Sequence, residues 1–100
     1  MASIRSLKKD IDFILSLTLE ECIYVAETYP EIDEEKINGL AGRIITLHRD
    51  LRARLNHIDG KENSKLAKEY IKKVVDDLYS GADGFFDEMT ALIGKKQPSN

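Results

Sequence analysis

Histidine, cysteine, arginine and glycine are the residues through which this chain could do chemistry, and their spacing decides how far each can go. His48 and His57 are the only two imidazoles. A histidine exposed on a helical bundle can take a phosphoryl group, but His48 sits in the string HRDLR. The small residue and glycine that would let a partner approach just after it are missing, so a partly buried structural histidine is expected. His57 lies near a helix end, where a protonated imidazole suits the negative end of the helix dipole. Metal sites in bundles need inward Glu or His at Glu-x-x-His spacing on more than one helix. No such motif occurs, and the two histidines fall almost on opposite faces of their helix. Cys22 cannot form an internal disulfide, and nothing basic stands near it in sequence to lower its pKa. There is no phosphate-cradling glycine loop, no Ser/His/Asp set and no nucleotide fingerprint. No catalytic, cofactor-binding or metal residue is assigned, no cofactor is expected, and the chain reads as a non-enzyme.

The arginines do not gather into a reading surface. Arg43 and Arg54 share one flank of their helix with Asp50, which can pair with Arg54 at i, i+4. Arg49 and Arg52 lie on the other flank with Ile45 and Asn56. A groove-reading helix presents one basic stripe, and base stacking needs interleaved aromatics. Neither is present, so sequence-specific nucleic-acid binding is not expected.

These residues are positioned by a stretch with a plain helical pattern, EEKINGLAGRIITLHRDLRARLNHI, residues 34–58. Ile37, Leu40, Ile44, Leu47, Leu51, Leu55 and Ile58 recur at steps of three and four, which places all seven on one face. A first helix is expected from Ser3 or Ser6 to about Thr28, stopped by Pro30. Ile4, Leu7, Ile11, Ile14, Thr18, Cys22, Val25 and Tyr29 form its core line, widened by Leu15, Leu19 and Ala26. The short link YPEID leads to Asp33, a fair N-cap for the second helix. That helix ends at the turn pair Asp59 and Gly60, after which Asn63 or Ser64 can cap a third. The third helix runs to about Ile93 on a line of Ala67, Ile71, Val74, Leu78, Ala82, Phe85, Met89 and Leu92, with Val75, Phe86 and Ile93 beside it. Glycines at 81 and 84 could divide it, giving a fourth element, but the apolar phase is unchanged across SGADG, which favours one helix, bent or straight. Short links make neighbours antiparallel. The expected fold is all-α, an antiparallel up-down-up three-helix bundle: one domain over residues 1–94, and a frayed tail over 95–100.

Gly39 and Gly42 on the second helix and Gly81 and Gly84 on the third are less bland. Each costs a helix interior about 1 kcal/mol relative to alanine. A hairpin centred near Lys61 would bring 39 and 42 level with 83 and 80. Gly39, Gly42 and Gly84 project off the core faces, so they are either inert surface residues or a bend or notch for a partner.

Composition bounds the rest. One hundred residues, 42% hydrophobic and 33% charged, fit a single soluble helical domain. The start MASIRSLKKDIDFILSL does not read as a signal peptide, and no stretch approaches the roughly 20 apolar residues of a bilayer span. A cytoplasmic protein without membrane association is expected, while any small-molecule ligand stays open. The mild net charge of −3 conceals an axial pattern. Folded at its two turns, one end (residues 1–15 and 46–73) has eleven Lys and Arg against six Asp and Glu. The other (16–45 and 74–100) has four against twelve. Helix-dipole matching would give this order in the second helix and the reverse in the first and third. A candidate basic end for anions or a nucleic-acid backbone therefore comprises Arg49, Arg52, Lys61 and Lys65.

One apolar group is left over. Projected at about 100° per residue, Phe13, Leu17 and Tyr24 fall within about 40° of one another and well over 90° from the core line of the first helix. A three-helix bundle needs one apolar face per helix, so a second stripe asks for a second neighbour. These residues are the candidate surface for a protein partner or for self-association into a homo-oligomer.

The strings SLKKDIDFILSL, LRARLNHIDGKEN and YIKKVVDDL resemble a family of small uncharacterised all-helical proteins of Bacteroidetes-type bacteria. The resemblance spans nearly the whole chain and implies a helical bundle with no assigned activity, so it carries over no functional residue. SGADG is richer in glycine than that family's usual continuous last helix.

Overall fold

The computed structural model describes residues 3–58 and 64–94; Met1 and Ala2, the turn at Asp59 and Gly60, Lys61 and the tail 95–100 lie outside them. Three helices, α1 (Ile4–Thr28), α2 (Glu34–Ile58) and α3 (Lys65–Gly94), pack together as an all-α bundle, with no strand among the described residues. Each start is fixed by the residue before it. Ser3 holds extended backbone and its hydroxyl accepts from the Ser6 amide at 3.1 Å. Asp33 Oδ1 accepts from the Glu35 amide at 3.0 Å, and Ser64 Oγ from the Ala67 amide at 3.0 Å. Caps of this kind satisfy amides the helix cannot, and each is worth about 1 kcal/mol. α1 stops at Tyr29, whose amide still reaches the Val25 carbonyl at 2.9 Å, because Pro30 has no amide with which to continue.

The turn between α1 and α2 contributes a core residue absent from the sequence-based lines. Ile32 is buried, next to the cap Asp33, and lines one hollow with the buried Ile37 four residues into the helix. This is a hydrophobic staple, which pins the angle at which the chain enters α2. The lines themselves hold with small shifts: in α1 Leu15 is buried and Ile14 half-buried, and in α2 Leu47 is half-buried. Thr18 is fully buried among apolar neighbours because its Oγ1 donates to the Ile14 carbonyl at 2.7 Å, one turn back in its own helix. α3 runs unbroken through SGADG, so there is no fourth element among the described residues.

The register between α2 and α3 corrects the hairpin centred near Lys61. Arg54 meets Asp77, Arg43 meets Glu88, and Leu47 packs on Gly81. Ile58 thus comes level with about residues 70–73, and α3 begins one to two turns beyond the end of α2. Gly39 and Gly42 stand level with about 89–92 and 86–89, not with 83 and 80. Fit sets this offset: a Cβ at position 81 would lie 2.5 Å from Leu47 Cδ2, so glycine there opens the notch that Leu47 fills. Flush helix ends offered no such socket.

The offset also softens the axial charge. Among the described residues, one half of the bundle (3–15, 46–58, 64–84) carries ten Lys and Arg against seven Asp and Glu. The other half (16–45, 85–94) carries two against nine. The acidic end persists, whereas Asp76, Asp77 and Asp83 move into the basic half and dilute it.

Candidate functional site on the outer side of α1

The flanks of α1 are marked by what they touch. Asp12 faces α2: its Oδ1 lies 2.7 Å from His48 Nε2, and its Oδ2 accepts from Arg52 Nη1 at 3.2 Å. The Cys22 thiol reaches the Ile37 carbonyl of α2 at 3.8 Å. About 140° round the helix from Asp12, away from α2, Leu17 begins the outer stripe. Phe13 is 69% exposed, Leu17 49% and Tyr24 59%. All three expected residues are on the surface and on one side.

The stripe extends onto α3. The α1–α2 contacts and the α2–α3 ion pairs together bring Leu17 level with about Phe86. On α3, Asp77, Gly81 and Glu88 face α2, and Phe86 projects about 140–180° from them, toward the α1 side. Phe86, expected beside the core line, stays 39% exposed. An apolar area thus spans the seam of α1 and α3. Periodicity missed it because no single helix holds it; it exists only once the register joins two helices. Ile23, Ile45, Leu66 and Tyr79 are also exposed and were not singled out by the sequence.

The candidate basic end is less coherent. Arg52 is committed to Asp12, Lys61 lies outside the described residues, and Arg49 and Lys65 are exposed. Arg54 is drawn into the α2–α3 seam, where Nη2 donates to Asp77 at 2.8 Å. Its buried Nε lies 3.4 Å from Asp50 Oδ2, close enough for charge attraction but without a hydrogen-bond partner. Arg43 grips Glu88 with two bonds of 2.7 and 2.8 Å.

These contacts set the titration of the seam. The Arg54 hydrogen bond, with Lys73 adding to it, holds the Asp77 carboxyl below the usual range, and Arg43 does the same for Glu88. Burial pushes the Cys22 thiol up, away from the thiolate a nucleophile needs.

Asp12, His48 and Arg52 form a polar cluster whose chemical reach is short. Asp12 orients the imidazole and is itself held by the guanidinium, an arrangement that locks α1 to α2. Beside it, Ser16 and His48 line a hollow of about 50 Å³, too small for a substrate. Larger hollows lie elsewhere. One of about 470 Å³ is bordered by His57, Ile58, Leu66, Tyr70 and Lys73 where α3 outruns α2. Another, of about 310 Å³, runs past Gly39 between Arg43 and Leu92. A Cβ at Gly39 would meet nothing within 4 Å, so the glycine is not needed for packing within the bundle. Among the described residues no three His, Cys, Asp or Glu side chains are grouped to hold a metal, and no helix is long and apolar enough to cross a membrane.

No family model matches the chain, and no similar curated protein or solved structure was found.

Proposed function

We propose that this chain is a non-enzymatic helical bundle whose work is protein interaction or self-association, performed by the outer side of α1. The observation that carries this reading is the exposure of Phe13, Leu17 and Tyr24 on one side of a helix whose opposite side is fully packed. Exposed apolar residues scattered singly mean little, whereas a contiguous patch rimmed by charge marks a contact surface. The cytoplasm is the proposed location, since the one cysteine is unpaired and buried. Kinship with the small helical proteins of Bacteroidetes-type bacteria is proposed on the three strings alone.

The test is mass in solution together with stability. Light scattering across a concentration series should show association that disappears in Phe13→Ser, Leu17→Ser and Tyr24→Ser variants of unchanged helicity. A strict monomer whose variants are no less soluble and bring down no partner from the native cell would leave the stripe without a role. The second reading, anion binding at the basic end, predicts salt-dependent retention on polyanions that falls when Arg49 and Lys65 become Gln. With Arg52 already paired to Asp12, it has less to work with.

A further inference from the structure

The charges that rim the stripe specify what fits it. Lys9 and Glu27 are both exposed and lie on the same flank of α1, about 40–80° from the stripe residues. They stand at equal distances along the helix from residue 18, one residue from Leu17. Phe13 and Tyr24 are likewise nearly equidistant from that point. A face with this order is complementary to itself when turned end over end. In an antiparallel pair related by a two-fold axis, side chains on the same flank of the two copies meet. A parallel pair would instead leave the Lys9 and Glu27 flanks on opposite sides of the seam, where they do not meet.

We propose that the occupant of this face is a second copy of the chain, bound antiparallel about a two-fold axis beside Leu17, with Lys9 of each copy against Glu27 of the other. This deepens the reading of the outer side of α1 as a contact surface and rests on it. In this arrangement Leu17 packs near its own copy, Phe13 meets Tyr24 of the second copy, and the two Phe86 rings close the α3 edge.

The area is consistent with a weak, specific dimer. At their observed exposures Phe13, Tyr24 and Phe86 leave on the order of 300 Å² uncovered per copy. Pairing removes about twice that, the apolar share of an interface near 1,000 Å², the lower edge of specific complexes. Two juxtapositions oppose it. Glu20 on the charged flank and Glu21 on the opposite flank are both exposed and close to the axis, so each approaches its own copy, and Glu20→Gln or Glu21→Gln tightens the dimer.

A charge exchange tests the pairing. Lys9→Glu and Glu27→Lys are each prepared and their dissociation constants measured by sedimentation, alone and mixed in equal amounts. Each variant alone sets like charges together twice and should dissociate about three- to tenfold more readily than the original chain. Their mixture restores opposite charges at both contacts and should recover the original affinity as a heterodimer. Loss of fold does not mimic this, because Glu27→Lys places a cation where the end of α1 favours one, and circular dichroism reports the helix directly. If Leu17→Ser abolishes the dimer but the mixture binds no better than its parts, the antiparallel pairing is overturned and the contact surface stands. If the original chain stays monomeric at about 1 mM, the second copy is overturned as occupant, and the surface is left to a different protein.

Discussion

The two sides of α1 are built from similar residues and meet opposite fates. Ile11, Leu15 and Val25 on the inner side are at most 2% exposed, whereas Phe13, Leu17 and Tyr24 on the outer side are 49% exposed or more. Phe13 and Leu17 are no less apolar. What separates them is geometry: α2 and α3 cover one side of α1, and a third neighbour would be required for the other. Apolar character alone does not determine burial; the number of available neighbours does.

The largest expected effect cuts across this pair. Leu15→Ala removes a side chain packed on all sides and should cost about 2–5 kcal/mol in urea unfolding of the dilute chain. Leu17→Ala, two residues away with a comparable apolar side chain, should change dilute-chain stability by no more than about 0.5 kcal/mol. If Leu17→Ala costs as much as Leu15→Ala at low concentration, the outer stripe belongs to the fold of the single chain.

Much of this contrast was legible in the sequence, for a physical reason. Helical periodicity sorts residues by angle, and angle alone separates Leu15 from Leu17. The three helices, the unbroken run through SGADG and the half-buried His48 follow from the same rule, and Asp33 as a cap follows from its side-chain acceptor. What periodicity does not carry is height. Phe86 joins the outer stripe, and Arg52 finds Asp12, only through the relative slide of the helices, which side-chain fit determines. Ile32 escaped because it lies in a turn, although an apolar residue just before the cap Asp33, with Ile37 four positions beyond the cap, was a readable staple.

Glycines repeat the inside–outside contrast on a smaller scale. A Cβ at Gly42 or Gly84 meets nothing within 4 Å, so Gly42→Ala and Gly84→Ala should each stabilise the chain by about 0.5–1 kcal/mol. At Gly81 the same gain is offset by collision with Leu47, and Gly81→Ala should be neutral or worse. Shortening the obstacle sharpens the point: Gly81→Ala should be more favourable in a Leu47→Ala background than in the original chain. Equal gains at all three positions would show that the notch does not hold the register.

If the outer side of α1 is kept for a partner, the bundle must be tied elsewhere: Asp12 ties α1 to α2, and Asp77 and Glu88 tie α3 to α2. Asp77 and Glu88 have lowered pKa values in the folded chain, so their contribution is complete above the unfolded carboxylate range, near pH 4. It is lost as pH falls through their folded values. At pH 7, Glu88→Gln should cost about 0.5 kcal/mol, a modest figure because Arg43 and Glu88 are both about half exposed. The difference from the original chain should shrink below pH 4 as Glu88 itself becomes protonated. A gap that stays constant down to pH 2 would mean that packing, not charge, is lost in the variant.

The smallest expected effect concerns the one polar residue on the inner side of α1. Thr18 is as buried as Ile11, yet its hydroxyl looks only to its own helix, donating to the Ile14 carbonyl. It specifies no neighbour. Valine has nearly the same shape, and Ile14 keeps its ordinary helical hydrogen bond from the amide of residue 18. Thr18→Val therefore removes a buried donor together with its need for a partner, so unfolding free energy should shift by less than about 0.5 kcal/mol, toward greater stability. A loss of more than 1 kcal/mol would show that the hydroxyl has a second role inside the bundle, and the inner side of α1 would no longer be the purely packed counterpart of the outer one.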